Sequence, residues 1–256
     1  MIPTQILQVL STIRQYDVPA LLMGGQACVL YGAAEYSRDL DLAILASDDG
    51  LPKFTDAISA LRASVIAVPP FDRSYLERGH AVHFSVPAPP GTATASPLRV
   101  DVMSCMRGVA PFAELWERRT TIVLHDETSA ADVHVELMAL EDLVAAKKTQ
   151  RDKDWPMLRR LVDASYDSAR DADATAVQVQ FWLAELRSPE FLSEAAARFP
   201  AAAQRSTRPA VRAALADGDI ATALAHEQAA EMLADRTYWL PLRRELEALR
   251  RSARRG

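Results

Sequence analysis

Between Leu21 and Leu45 the chain reads LLMGGQACVLYGAAEYSRDLDLAIL, where a glycine pair precedes two closely spaced carboxylates. Asp39 and Asp41 are separated by one residue within an otherwise apolar run through Leu45. Side chains alternate faces along a strand, so both carboxylates project from the same side. Two like charges held together cost stability unless a cation neutralises them. A hard divalent ion such as Mg2+ suits, because it binds through one or two carboxylates together with substrate phosphates. Upstream, Gly24-Gly25 follows an apolar strand and opens a helix. Without a Cβ the backbone there can offer N–H groups closely to a phosphate. Gly-Gly, thirteen intervening residues and Asp-x-Asp is therefore a layout suited to phosphate chemistry.

A third carboxylate, Asp101, lies in the run LRVDVM. An unpaired charge buried in such a strand is expensive, so Asp101 must meet either a metal at Asp39 and Asp41 or a cation such as Arg99 or Arg107. His80 and His83 are three apart across a short strand and face opposite sides, which argues against a metal pair and leaves one of them to line a cleft. A second charged cluster runs from LEDLVAAK (Leu140–Lys147) to Arg151-Asp152-Lys153-Asp154. Its bland reading is a solvated helix end, with Asp154 capping the next helix ahead of Trp155-Pro156. Residues 243–256 hold six Arg and two Glu and form a basic helix, either a solvated tail or a grip on phosphates.

The elements that must position these residues follow from periodicity. Helices are expected over Thr4–Tyr16, Gly25–Ala33, Pro52–Leu61 and Val109–Arg118. Strands are expected over Pro19–Met23, Leu40–Leu45, Val65–Val68, His80–Val86, Leu98–Met103, Thr121–Leu124 and Val133–Val135. The strands at His80–Val86 and Leu98–Met103 form an antiparallel hairpin around the loop PAPPGTATASP, and the charged residues 71–79 read as loop. From Leu137 onward no strand pattern appears. Leu and Ala at helical spacing dominate, broken near Ser188-Pro189, Pro200, Pro209 and Asp217-Gly218-Asp219. The expectation is an α+β domain over residues 1–136 followed by an all-helical domain over residues 137–256.

With 49% apolar and 25% charged residues, the composition is that of a globular protein. No run is long and apolar enough for a membrane span, and the N-terminus lacks a basic-then-apolar leader, so a cytoplasmic protein without a membrane is expected. Cys28 and Cys105 both sit in apolar stretches and read as buried thiols. The net charge of −5 is uneven: residues 1–136 hold 10 Lys/Arg against 16 Asp/Glu, leaving 19 against 18 for the remainder. A polynucleotide contact would therefore have to come from the second half.

The Gly24-Gly25 turn, Ser37-Arg38-Asp39-Leu40-Asp41 and the later strand acid Asp101 together resemble the nucleotidyltransferase superfamily. That superfamily has the fold of DNA polymerase beta and of aminoglycoside nucleotidyltransferases, and the small bacterial members that include AbiEii-like toxins look most similar. The pattern departs at Glu35, where many small members carry Arg. The resemblance covers about the first 155 residues, including an LEDL…K…R-x-KD stretch. It implies a mixed sheet with flanking helices, Asp39, Asp41 and Asp101 as catalytic and metal-binding residues, and Mg2+ or Mn2+ as cofactor. It also implies Gly24, Gly25, Ser37 and Lys147 as contacts of a nucleoside triphosphate such as ATP. The acceptor would be RNA, in particular tRNA, as in toxin-like relatives, or a small molecule of aminoglycoside type, or a protein side chain. A toxin-like member would have an antitoxin partner, and a noncatalytic binding module of the same fold is the alternative from another class.

Overall fold

The computed structural model describes residues 3–88, 96–126, 131–170 and 172–254. Most of the loop expected over PAPPGTATASP lies outside them. The chain divides into two compact units. The first comprises Met1–Leu30, Ala34–Ala146 and Trp239–Gly256, the second Tyr31–Ala33 and Lys147–Tyr238. No helix among the described residues is long and apolar enough to cross a membrane.

The first unit is built on a mixed sheet. In chain order its strands are β1 (Ala20–Met23), β2 (Leu40–Ile44), β3 (Ser64–Val65), β4 (Val82–Val86), β5 (Leu98–Met103), β6 (Thr120–Asp126) and β7 (Ala131–Leu137). Their spatial order is β3-β4-β5-β2-β1-β7-β6. β2 runs parallel to β5 and antiparallel to β1, and β4 pairs antiparallel with β5 as a hairpin. Every residue of β1 is buried, as a central strand covered on both faces requires. β4 instead alternates, with Val82, Phe84 and Val86 buried and His83 and Ser85 partly open. β5 does the same, with Leu98, Val100 and Val102 buried and Arg99, Asp101 and Met103 outside the core. One face of the β4–β5 pair is thus core and the other polar.

Helices α1 (Thr4–Gln15) and α3 (Gly50–Ala60) carry apolar faces into the core, with Ile6, Leu7, Leu10 and Ile13 from α1 and Phe54 from α3 buried. Phe54, Phe71 and Phe84 meet with ring centroids 5.3 to 5.8 Å apart, packing the apolar side of β4. Short α2 (Gly24–Leu30) joins β1 to the approach to β2. A five-residue helix α4 (Arg73–Glu77) forms where loop was expected: Asp72 caps it by accepting from the Ser74 amide at 2.9 Å. With Leu76 as its one buried residue, it is too short to show a period. The strand expected over Val65–Val68 closes after Val65. Helices α5 (Phe112–Arg118) and α6 (Leu140–Ala146) also belong to the sheet unit. Of the two cysteines, Cys28 is buried as expected but Cys105 is exposed, since it lies beyond the end of β5.

The second unit is helical: α7 (Asp154–Ser168), α8 (Ala176–Glu185), α9 (Pro189–Arg198), α10 (Pro200–Arg205), α11 (Pro209–Leu215) and the first part of α12 (Ile220–Ala253). Three helices open on proline, where the missing N–H costs nothing. A capping box at Thr175 and Gln178 starts α8. The buried Tyr166 and Trp182 rings meet edge to face at 5.3 Å.

From Trp239 onward α12 belongs to the sheet unit, so the basic C-terminal helix is anchored and not a loose tail. Glu245 accepts from Nε2 of the fully buried His80 at 2.8 Å and pairs with Arg78 at 2.9 Å. The His80 bond, ahead of an opposing desolvation and the Arg78 charge, holds the Glu245 carboxyl below the ordinary carboxylate range. A depressed carboxylate stabilises the fold at pH values above its unfolded pKa and loses that contribution as pH falls through the lower, folded value. Glu245→Ala is expected to lower stability at neutral pH by roughly 1–3 kcal/mol, because it strips a buried imidazole of its hydrogen-bond partner. The difference from wild type should narrow below about pH 4. Urea unfolding across a pH series measures both, and a pH-independent difference would refute the linkage.

Candidate functional site

Cross-strand register assembles the carboxylates. Asp41 on β2 stands opposite Asp101 on the parallel neighbour β5, and Asp101 stands opposite His83 on β4. Adjacent strands are about 4.8 Å apart, so these three side chains share one face as immediate neighbours. Asp39 immediately precedes β2, two residues from Asp41, and is exposed. The structure thus brings together the three acids expected from the sequence.

It also settles which neighbours Asp101 meets: Arg99, one of two candidate partners read from the sequence, and His83, one of two histidines able to line a cleft. Arg99 grips Asp101 with a fork: Nε donates to Oδ1 at 2.8 Å and Nη2 to Oδ2 at 2.9 Å. His83 Nδ1 lies 2.8 Å from Asp101 Oδ1. An ionised carboxylate only accepts, so Nδ1 carries the hydrogen in that bond, and the 3.1 Å approach of Arg99 Nη2 to the same nitrogen is then a contact between two donors. Burial works to raise the Asp101 pKa, but the hydrogen bonds from His83 and Arg99 outweigh it and hold the carboxyl below its ordinary range. Arg99 is shifted up, first by its bond to Asp101 and then, against desolvation, by the charges of Asp101, Asp39 and Asp41. The guanidinium therefore serves as a counter-charge for the whole acidic face. Alternation gave a signal for both residues: Arg99 and Asp101 are two apart on β5, and His83 was one of two histidines able to line a cleft.

The glycine pair answers a steric demand. Gly24 has φ +66°, and a Cβ there would lie 1.9 Å from Asp41 Oδ2. A Cβ on Gly25 would lie 2.3 Å from Ser37 Oγ. The Gly25 amide donates to Asp41 Oδ2 at 3.3 Å. Ser37 Oγ in turn donates to the Asp39 carbonyl at 3.3 Å, and the buried Gln26 amide donates to the Ser37 carbonyl at 2.7 Å. Gly24, Gly25 and Ser37 are thus gathered around Asp39 and Asp41.

For a hard divalent ion the donor chemistry at Asp39 and Asp41 fits, since Mg2+ takes one or two protein carboxylates and fills its shell from water and substrate phosphates. Asp101 belongs to the same face, but both of its oxygens are committed to Arg99 and His83. Consistent with that commitment, no group of three or more His, Cys, Asp and Glu side chains among the described residues is arranged to hold a metal ion.

The second charged cluster is largely satisfied internally. Asp142 receives the fork of Arg118 at 2.9 and 3.1 Å within the sheet unit. In the helical unit, buried Lys147 pairs with Asp154 at 3.5 Å, Lys148 with Glu185 at 2.6 Å, and Arg151 with Asp154 at 2.7 Å. Asp154 does not cap α7 with its side chain. It is the first helical residue and accepts from Thr149 at 2.6 Å. On α12, Arg244, Arg250, Arg251 and Arg254 are exposed.

No family model and no curated protein sequence matches the chain. Among solved structures, the fold is similar to an antigenic nucleotidyltransferase-like protein from Paracoccidioides brasiliensis, at 15% identity and a TM-score of 0.45, over 87% of this chain and 95% of that one. At that similarity the functional argument rests on the residues.

The steric reading of Gly24 has a direct test. Gly24→Ala and Gly108→Ala both place Ala at positive φ, but only the first pushes a Cβ into Asp41, since nothing lies within 4 Å at Gly108. Left-handed strain alone costs roughly 1–2 kcal/mol. Gly108→Ala should cost about that much and Gly24→Ala clearly more by equilibrium unfolding. Equal losses would show that Asp41 does not set the requirement.

Proposed function

We propose that the chain is a Mg2+-dependent nucleotidyltransferase that moves a nucleoside monophosphate from a nucleoside triphosphate to an acceptor hydroxyl. The observation that carries this reading is the in-register placement of Asp41 beside Asp101, with Asp39 on the same edge and Gly24-Gly25 folded tightly against Asp41. Three acids on one open sheet face are costly for stability alone and useful for neutralising cations that accompany phosphates.

Asp39 and Asp41 would hold the divalent ion, and Asp101 would either join them or accept the proton of the attacking hydroxyl. A bound Mg2+ supplies charge neutralisation for the phosphates and a lowered pKa for the acceptor hydroxyl. In the transfer, the acceptor oxygen forms a bond to the α-phosphorus as the bond to the bridging oxygen breaks, and pyrophosphate leaves with that electron pair. As general base, Asp101 is worth roughly 10²–10⁴ in rate. Held by Arg99 and His83 it is a weak base, so its partners must loosen when substrate is present. Gly24, Gly25 and Ser37, gathered beside Asp41, would contact the triphosphate. Lys147 is assigned no nucleotide contact, because its ammonium is buried against Asp154.

For the acceptor we favour RNA. Support comes from Arg244, Arg250, Arg251 and Arg254 on α12, exposed cations for which the fold gives no internal use among the described residues. Lys147, Lys148 and Arg151 give RNA no such support, being paired with acids. The excess of acids in residues 1–136 favours the alternative, a polycationic small molecule of aminoglycoside type.

Asp41→Asn nearly preserves shape while removing a ligand charge. It should abolish Mg2+-dependent triphosphate binding in calorimetry and leave the melting transition in place, whereas unchanged affinity would remove the central claim. For the acceptor, changing Arg244, Arg250, Arg251 and Arg254 to Gln keeps the Glu245 anchor. RNA affinity should weaken, and its slope against log salt should flatten by about 0.7 for each phosphate that the helix no longer neutralises. An unchanged slope with undiminished acceptor labelling would exclude RNA gripped by this helix.

A further inference from the structure

Arg99 sits as a cation on the acidic face, and its posture suggests a second use. Arg99 and Asp101 lie two residues apart on the same side of β5, and the guanidinium spans both carboxylate oxygens at 2.8 and 2.9 Å. That planar fork matches a phosphate as well as it matches a carboxylate. The Arg99 side chain is 45% exposed, against 17% for Asp101, so it can leave without disturbing the core while Asp101 stays in place. His83 would remain bonded to Asp101 after such a departure, so the half-buried carboxylate would not be orphaned.

Charge points the same way. Asp39, Asp41 and Asp101 carry three formal negative charges and Arg99 returns one, leaving a deficit of about two that a divalent cation matches in magnitude. The same negative charges hold the guanidinium where it is. Anything that neutralises Asp39 and Asp41 loosens that hold, and a triphosphate offers Arg99 a more highly charged partner.

We infer that Arg99 is a triphosphate-binding residue parked on Asp101, its fork exchanging the carboxylate for a phosphate when nucleotide enters, which frees the Asp101 oxygens. This rests on the nucleotidyl-transfer reading and assigns Arg99 a role additional to the three acids. The parked fork competes with cations for the acidic face before nucleotide arrives and holds the phosphates afterwards. Removing it therefore changes the two affinities in opposite directions.

The test uses the full-length chain. Mn2+ alone is titrated by electron paramagnetic resonance, and a non-hydrolysable nucleoside triphosphate analogue with Mn2+ by calorimetry. Arg99→Gln should bind Mn2+ alone roughly tenfold tighter and the analogue roughly 10- to 100-fold weaker, the range expected for losing a charged hydrogen-bonding partner. Arg99→Lys keeps the charge without the fork, so it should hold Mn2+ near wild-type affinity while losing part of the analogue affinity. A fixed structural arginine would lower both affinities in Arg99→Gln or leave both unchanged, and either result overturns the exchange. Wild-type protein that binds neither Mn2+ nor the analogue overturns the nucleotidyl-transfer reading, and the exchange with it. Melting curves of both variants, expected to match wild type within a few degrees, guard the comparison, and Arg99→Lys decides it if Arg99→Gln does not fold.

Discussion

Mutual repulsion among Asp39, Asp41 and Asp101 is the constraint around which the sheet unit is arranged. Parallel pairing of β2 with β5 forces Asp41 and Asp101 to be neighbours. The surrounding groups answer that crowding: the Arg99 fork, the His83 imidazole and the Gly25 amide each bring positive charge or a donor to a carboxylate oxygen. A stable fold would not choose this placement for its own sake, since apolar residues at the same positions would cost nothing in repulsion.

The site needs a rigid support, and the opposite side of the same strands provides it. Val82, Phe84, Val100 and Val102 are buried beneath the polar face, with the Phe54–Phe71–Phe84 cluster packed against β4. Strand alternation thus joins the acidic face and the apolar core in one element, each residue serving whichever face it points to. The tight approach of Gly24 to Asp41 works to the same end from the start of α2, fixing a carboxylate where a larger residue could not fit.

Charge elsewhere in the chain is mostly consumed in holding the fold. Arg118 clamps Asp142, Arg119 clamps Glu136, and in the helical unit the partly buried Arg208 pairs with Glu227 at 2.9 Å while donating to the Leu183 and Leu186 carbonyls. These pairs neutralise cations that composition alone presents as available. Arg244, Arg250, Arg251 and Arg254 stay exposed on the C-terminal part of α12, whose docking through Glu245 keeps them on an ordered helix.

The local part of this organisation was legible in the sequence. The alternation of β4 and β5, the fully apolar β1, the Gly24-Gly25 turn, the Asp39/Asp41 spacing and the proline-marked helix starts are all short-range patterns, and the structure carries each of them. What needed tertiary structure was everything set by register between distant segments. Asp101 had candidate partners in sequence, but only the β4–β5–β2 register placed it between His83 and Asp41, with Arg99 alongside. Lys147 looked available for nucleotide because its burial against Asp154 depends on how the chain folds back on itself. Cys105 looked buried from its neighbours although the strand had already ended, and α4 was hidden because five residues with one buried leucine show no period. A sequence determines which side of each strand a residue takes; which strand becomes its neighbour, and so which charge it must answer, is decided only when the sheet closes.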